Sequence, residues 1–132
     1  MKSKPILTLD DCRRITSAAE AEAKKNSWNV TICILDDGGH VLLTTRMDGA
    51  SPVTAEIAKE KGRSAALARR STKAQEDRIA AGRMVLLRMP TLPVQGGLPI
   101  MYQGECVGGI GVSGVQSHED EQICSAGLAV LK

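Results

Sequence analysis

The sequence predicts an α/β fold of the α+β type, in which helices flank an antiparallel sheet of about five strands. Segments with apolar residues at helical spacing alternate with runs of β-forming residues. Tight turns join neighbouring strand-like runs, which favours antiparallel pairing. The 132 residues suit one compact domain, and we find no internal repeat or linker within residues 1–132.

The first third of the chain predicts a helix followed by a β-hairpin. Thr8 and Asp11 form a capping-box pattern, and the helix that they start ends near residues 26–27. A β-branched run at 30–35 predicts a strand, because such side chains pack well on a pleated surface. Two aspartates and two glycines then make a turn, and residues 40–46 form the return strand.

A longer helix is predicted next. Ser51 is its expected cap, and Pro52 takes the first helical position, where its missing N–H has no partner to lose. The helix runs to about Ala68. Its expected buried side carries Val53, Ile57 and Ala65, with Gly62 allowing close approach.

The remaining elements lead into glycine-rich strands and a last helix. Ser71 is the expected cap of a short helix that ends near Ala81, while residues 84–89 fit a helix or a strand equally well. The strands fall at 98–102 and 105–113, and Ser117, with Asp120 three residues later, caps a final helix through Leu131.

Composition excludes several functional classes. The net charge of +2 and a basic cluster at 69–73 without aromatic residues argue against nucleic acid as a partner. No segment is apolar enough for a signal peptide or a membrane span, so we expect a cytoplasmic protein without a membrane partner. The cysteines lack a C-x-x-C pair and predict free buried thiols: Cys12, Cys33, Cys106 and Cys124.

The low aromatic content predicts a core of small aliphatic side chains. Aromatic residues make up 2% of the chain, and it contains no Phe. Because small side chains bury little area each, we expect part of the stability to come from contacts between subunits of a homo-oligomer.

The glycine-rich segment contains an apparent nucleotide-binding pattern. Residues 109–114 match G-x-G-x-x-G, but that fingerprint needs a following helix, a second strand and an acidic residue. The glycines here alternate with Ile110 and Val112, which places them within a strand. The missing side chains of Gly109 and Gly111 face the same way, and we expect a helix to pack closely there.

A series of short motifs along the chain is specific as a combination. These are Arg46–Ala50, a helix with Lys61 and Ala65, Gly96–Ile100, Gly104, Val107–Gly114, and Asp120 in the last helix. From about Leu7 to Leu131 the chain thereby resembles the GlcG/HbpS family of haem-binding and haem-degrading-like domains, which includes the C-terminal domain of PduO-type proteins. One departure is Gly62, where the family usually has Ala, followed by the charged Arg63.

The resemblance implies a profilin-like sandwich that assembles into oligomers. It also implies binding of haem or a related tetrapyrrole for some members, with a role in haem degradation. Haem needs an axial ligand, and His40 and His118 are the candidates. Weaker ligands are Met47, Met101 and Cys12, and the candidate cations for the propionates are Arg46, Lys61 and Arg63.

An enzyme of small-molecule catabolism is the alternative, with lyase- or isomerase-type chemistry on a small carboxylate or hydroxy acid. Arg46 would clamp the carboxylate, Asp48 would act as acid or base, and Lys61 would lie one helix away. Backbone amides at two glycine pairs would cradle an anion: Gly96 with Gly97, and Gly108 with Gly109. No histidine pattern indicates a metal site.

A non-catalytic accessory protein is a third hypothesis. The alanine-rich helices would then pack across a symmetric interface between identical subunits, which would explain the low aromatic content without any chemistry.

Overall fold

The computed structural model describes residues 1–131. Its helices and strands are α1 (Leu9–Lys25), β1 (Thr31–Asp36), β2 (Val41–Arg46), α2 (Val53–Ala68), α3 (Thr72–Ala80), β3 (Gly97–Tyr102), β4 (Glu105–Ser113) and α4 (Ser117–Leu128). Two short 3₁₀ helices lie at Met84–Arg88 and Ala129–Leu131.

The sheet has the strand order β2-β1-β4-β3, and every neighbouring pair is antiparallel. The predicted α+β class is therefore confirmed, but the sheet has four strands rather than about five. The segment that fitted either a helix or a strand forms the 3₁₀ helix Met84–Arg88. This segment lies between Gly82, at φ +107°, and Pro90, and it pairs with none of the four strands of the sheet.

Helices α1 and α4 cover one face of the sheet. Buried Ile and Val side chains of β1 and β4 pack there against the apolar side of both helices. The buried residues of this core are mostly aliphatic and contain no aromatic ring within residues 1–131. The prediction of a core built from small aliphatic residues is confirmed.

Helix α2 covers the other face at very close range. Gly109 and Gly111 point their missing side chains at α2, and a β-carbon on either would collide with the helix backbone. Gly62 completes the contact from the helix side, because a β-carbon there would lie 2.8 Å from the backbone nitrogen of Gly111. The expected packing role of these strand glycines is confirmed.

The caps of two helices are as predicted. The Thr8 hydroxyl accepts from the Asp11 N–H at 3.1 Å, and a carboxylate oxygen of Asp11 accepts from the Thr8 N–H at 2.9 Å. At α3 the Ser71 hydroxyl accepts from the Ala74 N–H at 3.3 Å.

Two other caps and one helix face differ from the prediction. The N-cap of α2 is Pro52, without a side-chain hydrogen bond, because Ser51 lies one residue too early. Helix α4 is capped by Gln116 with Glu119, one residue before the expected pair. On the predicted buried side of α2, Ala65 and Gly62 are buried as expected, but Val53 is 57% exposed and Ile57 is half-buried. That side also carries Thr54, Ala58 and Lys61.

Each of the four cysteines is buried and free, as predicted. Within the described part of the chain, the helices are too short or too polar to cross a membrane.

Candidate functional site

A cleft of about 360 Å³ opens beside the end of the sheet where β3 turns into β4. Its walls come from the N-terminal segment 5–7, the first turns of α1, the β3–β4 hairpin and residues 130–131. The volume falls within the range of roughly 300–1,000 Å³ that is typical of small-molecule sites. The apolar wall residues are Pro5, Ile6, Leu7, Val107, Val130 and Leu131.

A glycine lets the N-terminal segment form one wall. Leu7 packs over β4 at Gly108, where a β-carbon would lie 2.7 Å from the leucine side chain. Lys4 fastens the same segment, since its ammonium lies 2.6 Å from an Asp37 carboxylate oxygen and 2.9 Å from the carbonyl oxygen of Cys106. The hydrogen bond from Lys4 holds the pKa of Asp37 below its usual range. These contacts tie residues 4–7 to the sheet.

The polar side chains of the cleft differ in how many hydrogen bonds they already make within the protein. One Asp11 oxygen accepts from both the N–H and the hydroxyl of Thr8 at 2.9 Å, and these bonds lower the pKa of Asp11. Arg14 donates to the carbonyl oxygen of Val130 at 3.2 Å, while its side chain stays 55% exposed. Tyr102 lies at the end of β3 and is 41% exposed.

A shallow depression continues from the cleft along α1. It is lined by Arg13, Ser17 and Ala18, and it shares Arg14 and Val130 with the cleft. Two guanidinium groups therefore lie beside the mouth of a cleft whose walls are partly apolar and partly polar, an arrangement that suits a flat apolar molecule with carboxylate groups on one edge.

Neither predicted histidine lines this cleft. His40 is exposed after the β1–β2 turn, and it lies on the far side of β1 and β4 from Tyr102, roughly 14 Å away at normal strand spacing. His118 is exposed in the first turn of α4, roughly 18 Å along the helical segment from residues 130–131. Axial ligation by either histidine stays a prediction.

The structure brings Lys61 together with Asp120 rather than with Arg46 or Asp48. The Lys61 ammonium lies 2.9 Å from an Asp120 carboxylate oxygen and 3.1 Å from the carbonyl oxygen of Val112, and both charged side chains are buried. Burial raises the pKa of Asp120, and the hydrogen bond from Lys61 opposes that shift.

The other two candidate catalytic residues lie on the surface. Arg46 ends β2 and Asp48 follows in a turn, and both side chains are exposed. Their position leaves them free to meet a solute, whereas Lys61 is committed to Asp120. The catalytic roles of Arg46, Asp48 and Lys61 stay predictions.

The predicted anion cradles are filled by protein atoms. A β-carbon on Gly96 would lie 2.7 Å from the Lys61 ammonium, and one on Gly97 would meet the carbonyl oxygen of Lys61. On β4, a β-carbon on Gly108 would collide with a backbone carbonyl oxygen of β1, and one on Gly109 would collide with a backbone carbonyl oxygen of α2. Ligand binding by these four glycines stays a prediction that their surroundings do not favour.

Sequence reasoning missed the cleft because its parts are far apart in the chain. Segments 5–7, 11–14, 102–107 and 130–131 meet only in the folded protein. Two weak signals were available: Tyr102 is one of two aromatic residues, and Arg13 and Arg14 are adjacent on the exposed side of the first helix.

The sequence is similar to those of known proteins. A sequence model of the family described as haem degrading protein HbpS-like matches residues 7–129. Protein GlcG of Escherichia coli is 43% identical over 114 residues, which is 86% of this chain and 85% of that protein.

Two solved structures are similar along nearly the whole chain. A double mutant of HbpS from Streptomyces reticuli is 32% identical, with a TM-score of 0.90 over 100% of this chain and 91% of that chain. The PduOC:heme complex is 26% identical, with a TM-score of 0.87 over 97% of this chain and 96% of that chain.

Proposed function

This chain belongs to the family described as haem degrading protein HbpS-like, and we propose that it binds haem or a related tetrapyrrole in the cleft beside α1. The similarity to PduOC, whose structure holds heme, supports a ligand of this class. Haem degradation, which the family description names, is an extension of the same proposal.

The cleft itself carries the proposal, because its chemistry matches that of the ligand. Haem is a flat, largely apolar ring with two propionate side chains. Ile6, Leu7 and Val107 supply apolar walls, and Arg13 and Arg14 lie where propionates would leave the cleft. Arg14 uses one N–H on the Val130 carbonyl and keeps its other donors for a carboxylate.

Bound haem would supply a redox-active iron, and the residues of the chain would bind and orient it. The apolar walls would exclude water from one edge of the ring, and the guanidinium groups would fix its orientation through the propionates. Because Arg14 is half exposed and already held by Val130, little side-chain entropy would be lost on binding.

The test is a titration of the purified protein with haemin, followed through the Soret band. We expect a saturable, stoichiometric shift that Ile6→Glu and Arg14→Glu weaken. Ile6 is 76% exposed and Arg14 55% exposed at its side chain, so neither change threatens the fold. Arg83→Glu removes a surface cation outside the cleft and is the matched control.

Two results would contradict the proposal. One is a weak shift that does not saturate and is indifferent to every variant, which would mean nonspecific adsorption. The other is saturable binding that the cleft variants leave unchanged, which would move the site elsewhere, with His40→Ala and His118→Ala as the next variants.

We also propose a homo-oligomer in the cytoplasm. The free cysteines support the compartment. The alanines of 18–23 and 64–68 give the oligomer less support than the sequence suggests, because Ala19, Ala23, Ala65 and Ala66 are buried within the subunit. Sedimentation velocity at several protein concentrations measures the assembly directly.

A further inference from the structure

The cleft contains few side chains able to ligate iron. Among the described residues that line it, there is no His, Cys or Met. Two side chains carry an oxygen that iron accepts as a ligand, the Asp11 carboxylate and the Tyr102 phenol. The choice of axial ligand within this cleft is therefore between these two residues.

Asp11 is already committed to the start of α1. One of its oxygens accepts two hydrogen bonds from Thr8 at 2.9 Å, and the other lies 3.9 Å from the Arg14 guanidinium. Ligation through the first oxygen would break the capping box. Ligation through the second would take from Arg14 its neighbouring anion.

Tyr102, in contrast to Asp11, does not cap a helix. It is the last residue of β3, opposite Glu105, and follows an irregularity in the β3–β4 ladder between Ile100 and Met101. Ile100 and Tyr102 are two residues apart on the strand, which directs both toward the same face of the sheet. Ile100 is fully buried, whereas Tyr102 at the strand end is 41% exposed and lines the cleft.

We infer that Tyr102 is the axial oxygen ligand of the haem iron, with Arg14 holding a propionate of the same ring. This inference rests on the proposed function and goes beyond it, because it assigns ligation to a phenol and makes both histidines dispensable. Phenol oxygen is an established class of haem ligand. The weaker candidates are worse placed, since Cys12 is fully buried and Met101, adjacent to Tyr102 on the strand, points to the opposite face.

The test compares ferric haem complexes of the wild type, Tyr102→Phe and Tyr102→His. Absorption spectra and resonance Raman spectra report the iron–phenolate bond directly. We expect phenolate bands in the wild type and their loss in Tyr102→Phe. Haemin affinity should fall at least roughly tenfold, because losing even an outer-shell partner of a metal ligand typically costs that much. Tyr102→His should convert the spectrum to that of an imidazole complex. His40→Ala is the control and should retain the phenolate bands.

The outcomes separate this inference from the proposed function. If the wild type binds haemin saturably but Tyr102→Phe has the same spectrum, Tyr102 is not the ligand and only the inference fails. If a histidine variant changes the bands and Tyr102→Phe does not, the ligand is that histidine. If the wild type shows no saturable binding, both fail. Circular dichroism of Tyr102→Phe checks the fold, which should stay intact because the change removes one hydroxyl from a partly exposed residue.

Discussion

The Lys61 ammonium lies 2.9 Å from a carboxylate oxygen of Asp120, and the two side chains are 3% and 2% exposed. This pair joins α2 to α4 beside Gly96, which precedes β3. Asp120 also accepts from the Val115 N–H at 3.2 Å, and Lys61 donates to the Val112 carbonyl at 3.1 Å. Each charge is therefore compensated inside the protein, and removing either side chain would leave the other charge buried and unpaired.

Breaking this pair should cost more than removing it. Lys61→Met leaves a buried carboxylate without its cation, and we expect a loss of about 3–5 kcal/mol in the free energy of unfolding. Lys61→Met combined with Asp120→Leu should recover most of that loss, because no buried charge is left unpaired. Urea denaturation of both single variants and the double variant measures this. Additive losses in the double variant would show that the two residues act independently.

The contact between β4 and α2 should be intolerant of a single methyl group. Gly111→Ala puts a β-carbon against the α2 backbone, and we expect it to destabilise by about 1–3 kcal/mol or to block folding. Gly38→Ala is the control, since its β-carbon would find neighbours no closer than 3.5 Å. The two thermal unfolding midpoints give the comparison. Equal midpoints would mean that α2 moves away from the sheet without cost.

Replacing Thr8, which precedes α1, should destabilise the protein more than replacing Ser51, which precedes α2. Thr8→Ala removes a side-chain cap that the structure contains, at a cost of about 1 kcal/mol. Ser51→Ala removes a hydroxyl that caps nothing, so we expect little change in the free energy of unfolding. Chemical denaturation of both variants decides the matter. A loss at Ser51 equal to that at Thr8 would restore Ser51 as the cap of α2.

The attachment of the N-terminal segment should weaken in acid. Lys4 holds the pKa of Asp37 below its ordinary value of 3.8, so the folded state favours the ionised carboxylate. This stabilisation is present above the ordinary pKa and is lost as the pH falls through and below it. Asp37→Asn should therefore lower the melting temperature at about pH 7 and have little effect near about pH 2. Asp48→Asn, at an exposed turn, is the control.

The cysteines should be slow to react in the native protein. Burial raises the pKa of the Cys33 thiol to about 11 and also raises the pKa values of Cys12 and Cys124. At about pH 8 the reactive thiolate is therefore scarce as well as inaccessible. Ellman's reagent should modify these thiols slowly before denaturation and rapidly after it. A thiol that reacts rapidly in the native protein would show that one of these sites opens.

Most elements of the fold could be predicted from local signals. The bounds of β4, 105–113, were predicted without error, because the strand glycines are separated by β-formers and preceded by a turn. The 3₁₀ helix at Met84–Arg88 could not be predicted, since its apolar run fits either a helix or a strand. The predicted N-caps Ser51 and Ser117 each lie one residue away from the observed N-cap. The N-cap is defined by backbone angles, which the sequence does not show.

The site was less predictable, because it depends on contacts between distant segments. The sequence indicates Lys61 as a charged helix residue, but Asp120 lies 59 positions away, and only the tertiary structure shows that the two form an ion pair. The cleft residues Leu7 and Tyr102 carry no local pattern that connects them. Family resemblance indicated the ligand class, whereas the proposed place of binding comes from geometry.

The glycines of β4 that face α2 should also affect the hydrogen exchange of the protein. With backbone lying directly on backbone, α2 cannot shift by rearranging rotamers at Gly109 or Gly111. Strand β4 is, in addition, hydrogen-bonded to a neighbour on each side. Its amides should therefore exchange with deuterium only on global unfolding, while those of Met84–Arg88, with exposed apolar side chains, should exchange through local opening.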